Sequence, residues 1–444
     1  YAALDCKLKD GSMTLEEKLL AKGTFDAFSK ASADLLCGMP VSKDSSLALI
    51  MASVYRDVSE YLTPDRMIAS EITQDNMAYF LGVDTLKIKE GLAVEPMIRP
   101  AAHSVCLVRL ADGEDVEKAK KAIAENVNPY KWICAGVDPE NVRVDNIGNL
   151  IILVMDNSFA DALVANFKAL PADAKGAVLV GDTVVEKQAL SAKSVTGFAD
   201  KINAVHQKYL KNNQVFYSIV PDKSYYLRQS FAEYLDHGKL MEQLAPLMSK
   251  DMTRILLEST LDASDYYKTD RHWRQEKLEQ TVKELSRAMG FTVDWSAFQA
   301  RTGGEFTGNY ARLLDSLKVE PFTYLESAGT KATKVSLYGK EGTVPVYDTA
   351  KLETNDPYAV FLSELSPVTV LDNPTVKEKR ELVLFTDSFG TSLAPLLLDR
   401  YSKITLVDLR FVASELLPEL VDFSGAQVLF LYSDVLVNNS NLLK

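Results

Sequence analysis

Glu381-Leu382-Val383-Leu384-Phe385-Thr386-Asp387-Ser388-Phe389-Gly390 is the stretch that decides the fold. Leu382 to Phe385 is an apolar run of strand length, and a strand that is apolar on both sides belongs inside a parallel sheet. The run ends in the polar residues Thr386, Asp387 and Ser388, and Ser392 to Tyr401 then reads as a helix. Strand, tight turn and helix form the repeating unit of an α/β sheet. Lys403-Ile404-Thr405-Leu406-Val407 and Gln427-Val428-Leu429-Phe430-Leu431-Tyr432 repeat the strand pattern, with helices between. Upstream, Gln214 to Val220 reads as another strand, running into Pro221-Asp222-Lys223. Ligands of such sheets collect at the carboxyl ends of the strands, so the chemistry is sought there.

Outward from this stretch, 444 residues give a prior of two or three domains at ~150 residues each. The chain is 47% hydrophobic and 25% charged, enough apolar material for a sizeable core. A formal net charge of −12 argues against nucleic acid and anionic membrane surfaces as partners. No apolar run approaches the ~18 residues of a membrane span. The cysteines Cys6, Cys37, Cys106 and Cys134 lack a C-x-x-C spacing, so neither a zinc cage nor a dithiol site is expected. Buried structural thiols are the favoured reading, and pairing of Cys106 with Cys134 stays open. No metal or organic cofactor is expected. The chain opens at Tyr1 rather than Met, so a segment upstream, such as a cleaved signal, is expected.

Three stretches follow from the patterning. Residues 1–64 read as helical: Thr14-Leu15-Glu16-Glu17 resembles a capping box, Phe25, Phe28, Leu35 and Leu36 recur at helical spacing, and Ser46 to Tyr61 resumes beyond Pro40. Residues 65–173 read as a small α+β domain. It has a strand at Ala102–Leu110, an amphipathic helix at Gly113–Asn126, and a hairpin whose strands, Val142–Val144 and Leu150–Met155, flank a turn at Asp145–Asn149. Residues 174–444 form the α/β domain, with helices at Ser194–Lys211, Leu235–Leu247 and Asp251–Leu261.

Ser388 stands where a strand turns into a helix, a place that exposes a serine near backbone N–H groups suited to an oxyanion. The match to G-x-S-x-G lacks its first glycine, since Thr386 stands there, and Asp387 or Ser388 as a plain helix cap is the competing reading. A nucleophilic serine needs a base. Of His103, His206, His237 and His272, the first three read as surface or packing residues. His272 lies in Tyr266-Tyr267-Lys268-Thr269-Asp270-Arg271-His272-Trp273, where Asp270 is close enough to orient the imidazole and Trp273 could exclude water. A helix start capped by Asp270 is the alternative there. Asn309 is a candidate oxyanion donor, and Arg410 a candidate for binding a carboxylate or ordering the serine loop. Tyr266, Tyr267 and Trp273 would suit sugar stacking, and Asp387 is a further candidate contact, either to substrate or, with Asp270 and His272, to a metal.

Together, Asp270-Arg271-His272-Trp273 and Asp387-Ser388 resemble the DHHW proteins, which belong with the SGNH-hydrolase-like enzymes that include alginate O-acetyltransferases of bacterial exopolysaccharide systems. The resemblance runs from about Gly176 to the end. It takes in Val220-Pro221-Asp222-Lys223, Gly304-Glu305-Phe306-Thr307-Gly308, Asp408-Leu409-Arg410 and Leu429-Phe430-Leu431-Tyr432. Arg271 departs from the family name, replacing its first histidine. The resemblance implies Ser388 as nucleophile, His272 as base and Asp270 as its orienter, on an SGNH-like parallel sheet flanked by helices. It also implies an extracytoplasmic esterase or O-acetyltransferase for a cell-surface polysaccharide or peptidoglycan, with a membrane-bound O-acyltransferase as partner. An idle scaffold that binds glycan or an assembly partner is the alternative. Residues 65–170, through Ala102–Val108 and Val144–Gly148, resemble an uncharacterised domain of exported Gram-positive proteins and suggest docking or spacing.

Overall fold

The structure is a computed structural model. It describes residues 41–43, 45–56, 58, 62, 67–96, 102–132, 135–170, 177–306, 308, 310, 319–353, 357–363 and 366–444. The helical signals at Thr14–Glu17 and Phe25–Leu36 lie outside these residues. The chain divides into two compact units, Tyr1–Lys175 and Gly176–Lys444.

The first unit is built on five strands: β1 (Met67–Glu71), β2 (Ile88–Pro96), β3 (His103–Leu110), β4 (Val142–Ile147) and β5 (Leu150–Asp156). They pair antiparallel in the order β1-β2-β3-β5-β4. Alternate residues of β3 and β5 serve two cores, as the strand period of two requires. Val105, Leu107, Ile152 and Val154 pack with helices Leu47–Tyr55 and Ala160–Lys168. Cys106, Val108, Ile151 and Leu153 pack with Phe80, Ala119 and Ile123 of helices Met77–Leu81 and Val116–Asn126. Helix Leu47–Tyr55, expected in a separate leading segment, is thus part of this unit's core. Among the described residues Cys106 is a free buried thiol, and Cys134 lies outside them. The expected turn at Asp145–Asn149 is tighter than its sequence suggests: Ile147 pairs with Leu150, and Gly148 supplies the positive φ of 59°.

The second unit opens with a hairpin of β6 (Ala177–Val180) and β7 (Thr183–Glu186). Strands β8 (Val215–Val220) and β9 (Met252–Arg254) follow, then a separate ribbon of β10 (Gln299–Phe306) and β11 (Glu320–Glu326). Next come β12 (Lys334–Leu337), β13 (Val368–Asp372), β14 (Glu381–Thr386), β15 (Lys403–Val407) and β16 (Gln427–Ser433). Seven strands form the main sheet, ordered β12-β13-β15-β14-β16-β8-β9. Strands β15, β14, β16, β8 and β9 run parallel, and β13 runs against its neighbours. The fold is α/β. Leu382, Leu384, Leu429 and Leu431 face one side with Leu393, Leu396 and Leu397 of helix Phe389–Leu397. Phe385 stacks on Phe430 at 4.6 Å. Burial on both faces is why these strands read as unbroken apolar runs.

The helix expected at Ser194–Lys211 lies two residues earlier, at Ala192–Tyr209, and that expected at Leu235–Leu247 shrinks to His237–Leu244. A third is corrected: Asp251–Leu261 is not a helix, because Met252–Arg254 pairs with β8 as an edge strand. Ile255 and Leu257 are buried while Leu256 between them is 50% exposed, a period of two inside an apolar run that also suits a helix. In the strand order β9 lies outward of β8 and β15 outward of β14 in the opposite direction, so the order reverses around β16, the place in an α/β sheet where the carboxyl ends of the strands hold a ligand crevice.

Candidate active site

Carboxylates at the strand ends lace this crevice together. Asp387, just past β14, accepts from Ser433 N at 2.9 Å and Ser433 Oγ at 2.7 Å, at the end of β16. Asp434, the next residue, accepts from the backbone N–H of Asp222, past β8, at 3.0 Å. Asp387 also accepts from Phe389 N at 3.1 Å and so caps the helix that follows. Capping therefore falls to Asp387, and the Ser388 hydroxyl makes no cap bond. The elbow is tight: a Cβ on Gly390 would lie 2.3 Å from Thr386 Oγ1, so glycine is required there although Thr386 replaces the first glycine of the motif.

Above the elbow, residues 266–273 form a pinched loop closed by a bridge between Tyr266 and Trp273 and by Tyr267 N donating to His272 O at 3.0 Å. Asp270 Oδ1 accepts from His272 N at 3.0 Å and meets Nδ1 at 2.6 Å. His272 Nε2 meets Ser388 Oγ at 2.7 Å. With the carboxylate on Nδ1, the imidazole carries its proton there, and Nε2 accepts from the serine hydroxyl. Asp270 and His272 are buried, and Ser388 is partly exposed. Asp270 does not start a helix: the next one begins at Glu279, after a turn at Gln275–Lys277.

The other candidates take supporting places. Trp273 is fully buried and donates from Nε1 to Ser392 Oγ at 2.8 Å. Tyr267 is fully buried against Phe306 and Phe322. Arg410 is buried, with its guanidinium on Asp408 at 2.6 Å. Substrate contact expected of Trp273, Tyr267, Asp387 and Arg410 gives way to support, because each is enclosed and engaged with the protein itself. Asp387 is committed to Ser433 and Phe389. Among the described residues no group of three His, Cys, Asp or Glu side chains is arranged to hold a metal. Asn309 lies outside the described residues. Its neighbour Gly308 is inside them, and a Cβ there would lie 2.2 Å from Thr269 O, so only glycine lets the chain pass this close to the Asp270 loop.

Sequence reasoning missed several contributors. Tyr358 stacks on the His272 ring at 3.9 Å and 11°, an arrangement that favours an imidazolium. Its hydroxyl donates to Ser392 Oγ at 2.7 Å, the acceptor that also serves Trp273. Arg271 faces Glu186, whose carboxyl burial pushes up to about 7 against that guanidinium. His237, expected at a surface or packing position, is buried between Asp434 at 3.1 Å and Glu258 at 3.4 Å. Burial would lower its pKa, but the two carboxylates outweigh it and hold it up at about 9. Neither the sequence around Tyr358 nor Asp236-His237-Gly238, which opens a helix, carries a pattern that announces such contacts.

Among the described residues no helix is long and apolar enough to cross a membrane. No protein-family model and no curated protein matches the chain. Among solved structures, it is similar to a DHHW family protein from Eubacterium siraeum DSM 15702, at 16% identity and a TM-score of 0.49, over 60% of this chain and 98% of that one. It is similar to Bacillus cereus PatB1, at 13% identity and 0.48, over 60% and 97%. It is also similar to the O-acetyltransferase domain of Pseudomonas putida AlgJ, at 13% and 0.38, over 59% and 92%. The structural neighbours thus include a member of the DHHW family, the family that the sequence motifs resemble, and an O-acetyltransferase domain.

Proposed function

We propose that the protein is a serine acyl-transfer enzyme, an extracytoplasmic esterase or O-acetyltransferase that handles acetyl esters of a cell-surface glycan. The observation that carries this reading is the hydrogen-bonded chain from Asp270 through His272 to a serine that reaches solvent at a strand-to-helix elbow. The glycan comes from the motif resemblance, and the acyl chemistry from the geometry.

Ser388 Oγ attacks the ester carbonyl carbon as its proton passes to His272 Nε2. Asp270 stabilises the imidazolium that forms, and the stacked Tyr358 ring adds to it. Phe389 N and Gly390 N already bond to Asp387. The Ser388 N–H, without a partner among the described residues, is the amide at this turn that can donate to the developing oxyanion. His272 then returns its proton to the leaving sugar oxygen, leaving acetyl on Ser388. A sugar hydroxyl or water, deprotonated by the same imidazole, takes the acetyl in the second half-reaction.

Tyr266, Tyr267 and Trp273 are at most 2% exposed and so present no ring for a sugar, which favours catalysis over the binding scaffold. Turnover of a chromogenic acetyl ester, with and without a glycan acceptor, tests the reading. Turnover that depends on Ser388 supports it, and a folded wild type inert to every acetyl ester contradicts it.

A further inference from the structure

The loop with Asp270 and His272 belongs to no regular strand or helix, and two buried charges grip it. Lys223, fully buried just past β8, donates from Nζ to Tyr267 O at 2.8 Å, Lys268 O at 3.2 Å and Asp270 O at 2.7 Å. Glu320, at the start of β11, accepts from Lys268 N at 3.0 Å, Thr269 N at 2.8 Å and Thr269 Oγ1 at 2.6 Å. Across residues 267–270, a cation thus gathers carbonyls while an anion gathers donors. An ammonium has three hydrogens, and three carbonyls receive them. Burying such a charge is costly, and a packing role would be met more cheaply by an apolar side chain.

We infer that Lys223 is the positioning residue of the Asp270–His272 pair: its ammonium fixes the loop backbone, which sets the carboxylate and through it the imidazole. The inference rests on the site being a serine acyl-transfer centre. Charged groups facing Lys223 are Asp222 beside it, Asp270 on the loop, Glu320 on β11 and Glu186 on β7, and the Tyr310 ring lies 4.9 Å away. Burial draws its pKa down to about 8 against these carboxylates. A neutral amine has two hydrogens for the three carbonyls, so the third must face its lone pair and the grip loosens.

The test is the rate of labelling by a fluorophosphonate probe from pH 6 to 10, with turnover of a small acetyl ester, in wild type, Lys223→Met and Glu320→Gln. In the wild type the rate should fall as pH rises through about 8. Lys223→Met should be roughly a hundredfold slower at neutral pH with little change in KM and no break near 8, since a small misplacement of a catalytic group costs about that much. Glu320→Gln, which turns one of the two accepting oxygens into a donor facing a loop donor, should also be at least tenfold slower. Lys223→Met labelling within threefold of wild type, or keeping the same alkaline break, would overturn the inference. So would Glu320→Gln at the wild-type rate, which decides the matter if Lys223→Met does not fold. A wild type that never reacts would remove the enzyme reading alone. Amide exchange across residues 267–272 then judges the clamp: at least tenfold faster exchange in Lys223→Met supports it, and unchanged exchange overturns it.

Discussion

The two units each hold a hydroxyl, a histidine and an aspartate in one hydrogen-bonded chain. In the second unit the distances are 2.7 Å from Ser388 to His272 and 2.6 Å on to Asp270. In the first, Tyr55 OH lies 2.6 Å from His103 Nε2, and His103 Nδ1 lies 2.7 Å from Asp156. The distances do not separate them; the surroundings do. Tyr55 is 5% exposed and His103 2%, and burial holds the phenol well above its ordinary range. Asp156 also accepts from the backbone N–H groups of Ser158 and Phe159, so it ties down the start of a helix. That chain is a satisfied core network. Ser388 instead reaches solvent, on a turn with an amide to spare. A relay becomes a site when its hydroxyl can meet a substrate and an oxyanion has a donor waiting.

The largest effects should fall on one side of this comparison. His272→Ala should lower acetyl-ester turnover by roughly a hundredfold to ten-thousandfold, the usual worth of a general base, on top of the stability lost by leaving the buried Asp270 without its partner. His103→Gln should cost stability alone and leave turnover at the wild-type level. Equal activity losses in the two variants would erase the distinction.

Next in size is His237, which belongs to neither relay yet braces the strand ends through Asp434. His237→Leu strands the buried Asp434 carboxylate and should cost about 3–5 kcal/mol in denaturant unfolding. This contribution depends on pH. The imidazole is held at about 9, above its unfolded value of ~6.5, so its stabilisation is whole below ~6.5 and fades as pH rises through 9. The gap between wild type and His237→Gln should narrow over that window by an amount on the order of 3 kcal/mol. A gap that widens reverses the sign of the account.

The smallest effect expected is that of Tyr55→Phe, about 1–3 kcal/mol of stability from an unpaired His103 nitrogen, with turnover at the wild-type level. A loss of turnover would assign chemistry to the first unit.

How far the sequence leads differs between strand and loop. Leu382–Phe385 and Val428–Tyr432 declare themselves because burial on both faces demands an unbroken apolar run. The pairing of Asp270 with His272 is readable because they stand two positions apart and a turn closes the gap. Lys223 and Glu320 are not readable: apart from the Thr269 hydroxyl, their partners on the loop, 44 or more residues away, are backbone atoms, which leave no mark in a sequence. Tyr358 on His272 is a contact between the single helical turn Pro357–Val360 and a loop, with no periodicity to betray it. Asp251–Leu261 misleads because Ile255-Leu256-Leu257 is too short to separate a period of two from one of 3.6.

The most direct measurement is the site of attachment of a fluorophosphonate probe, read by peptide mass spectrometry. The account predicts one adduct, on Ser388, absent in Ser388→Ala and formed far more slowly in His272→Ala. An adduct on another residue, or none on a folded wild type, would contradict it.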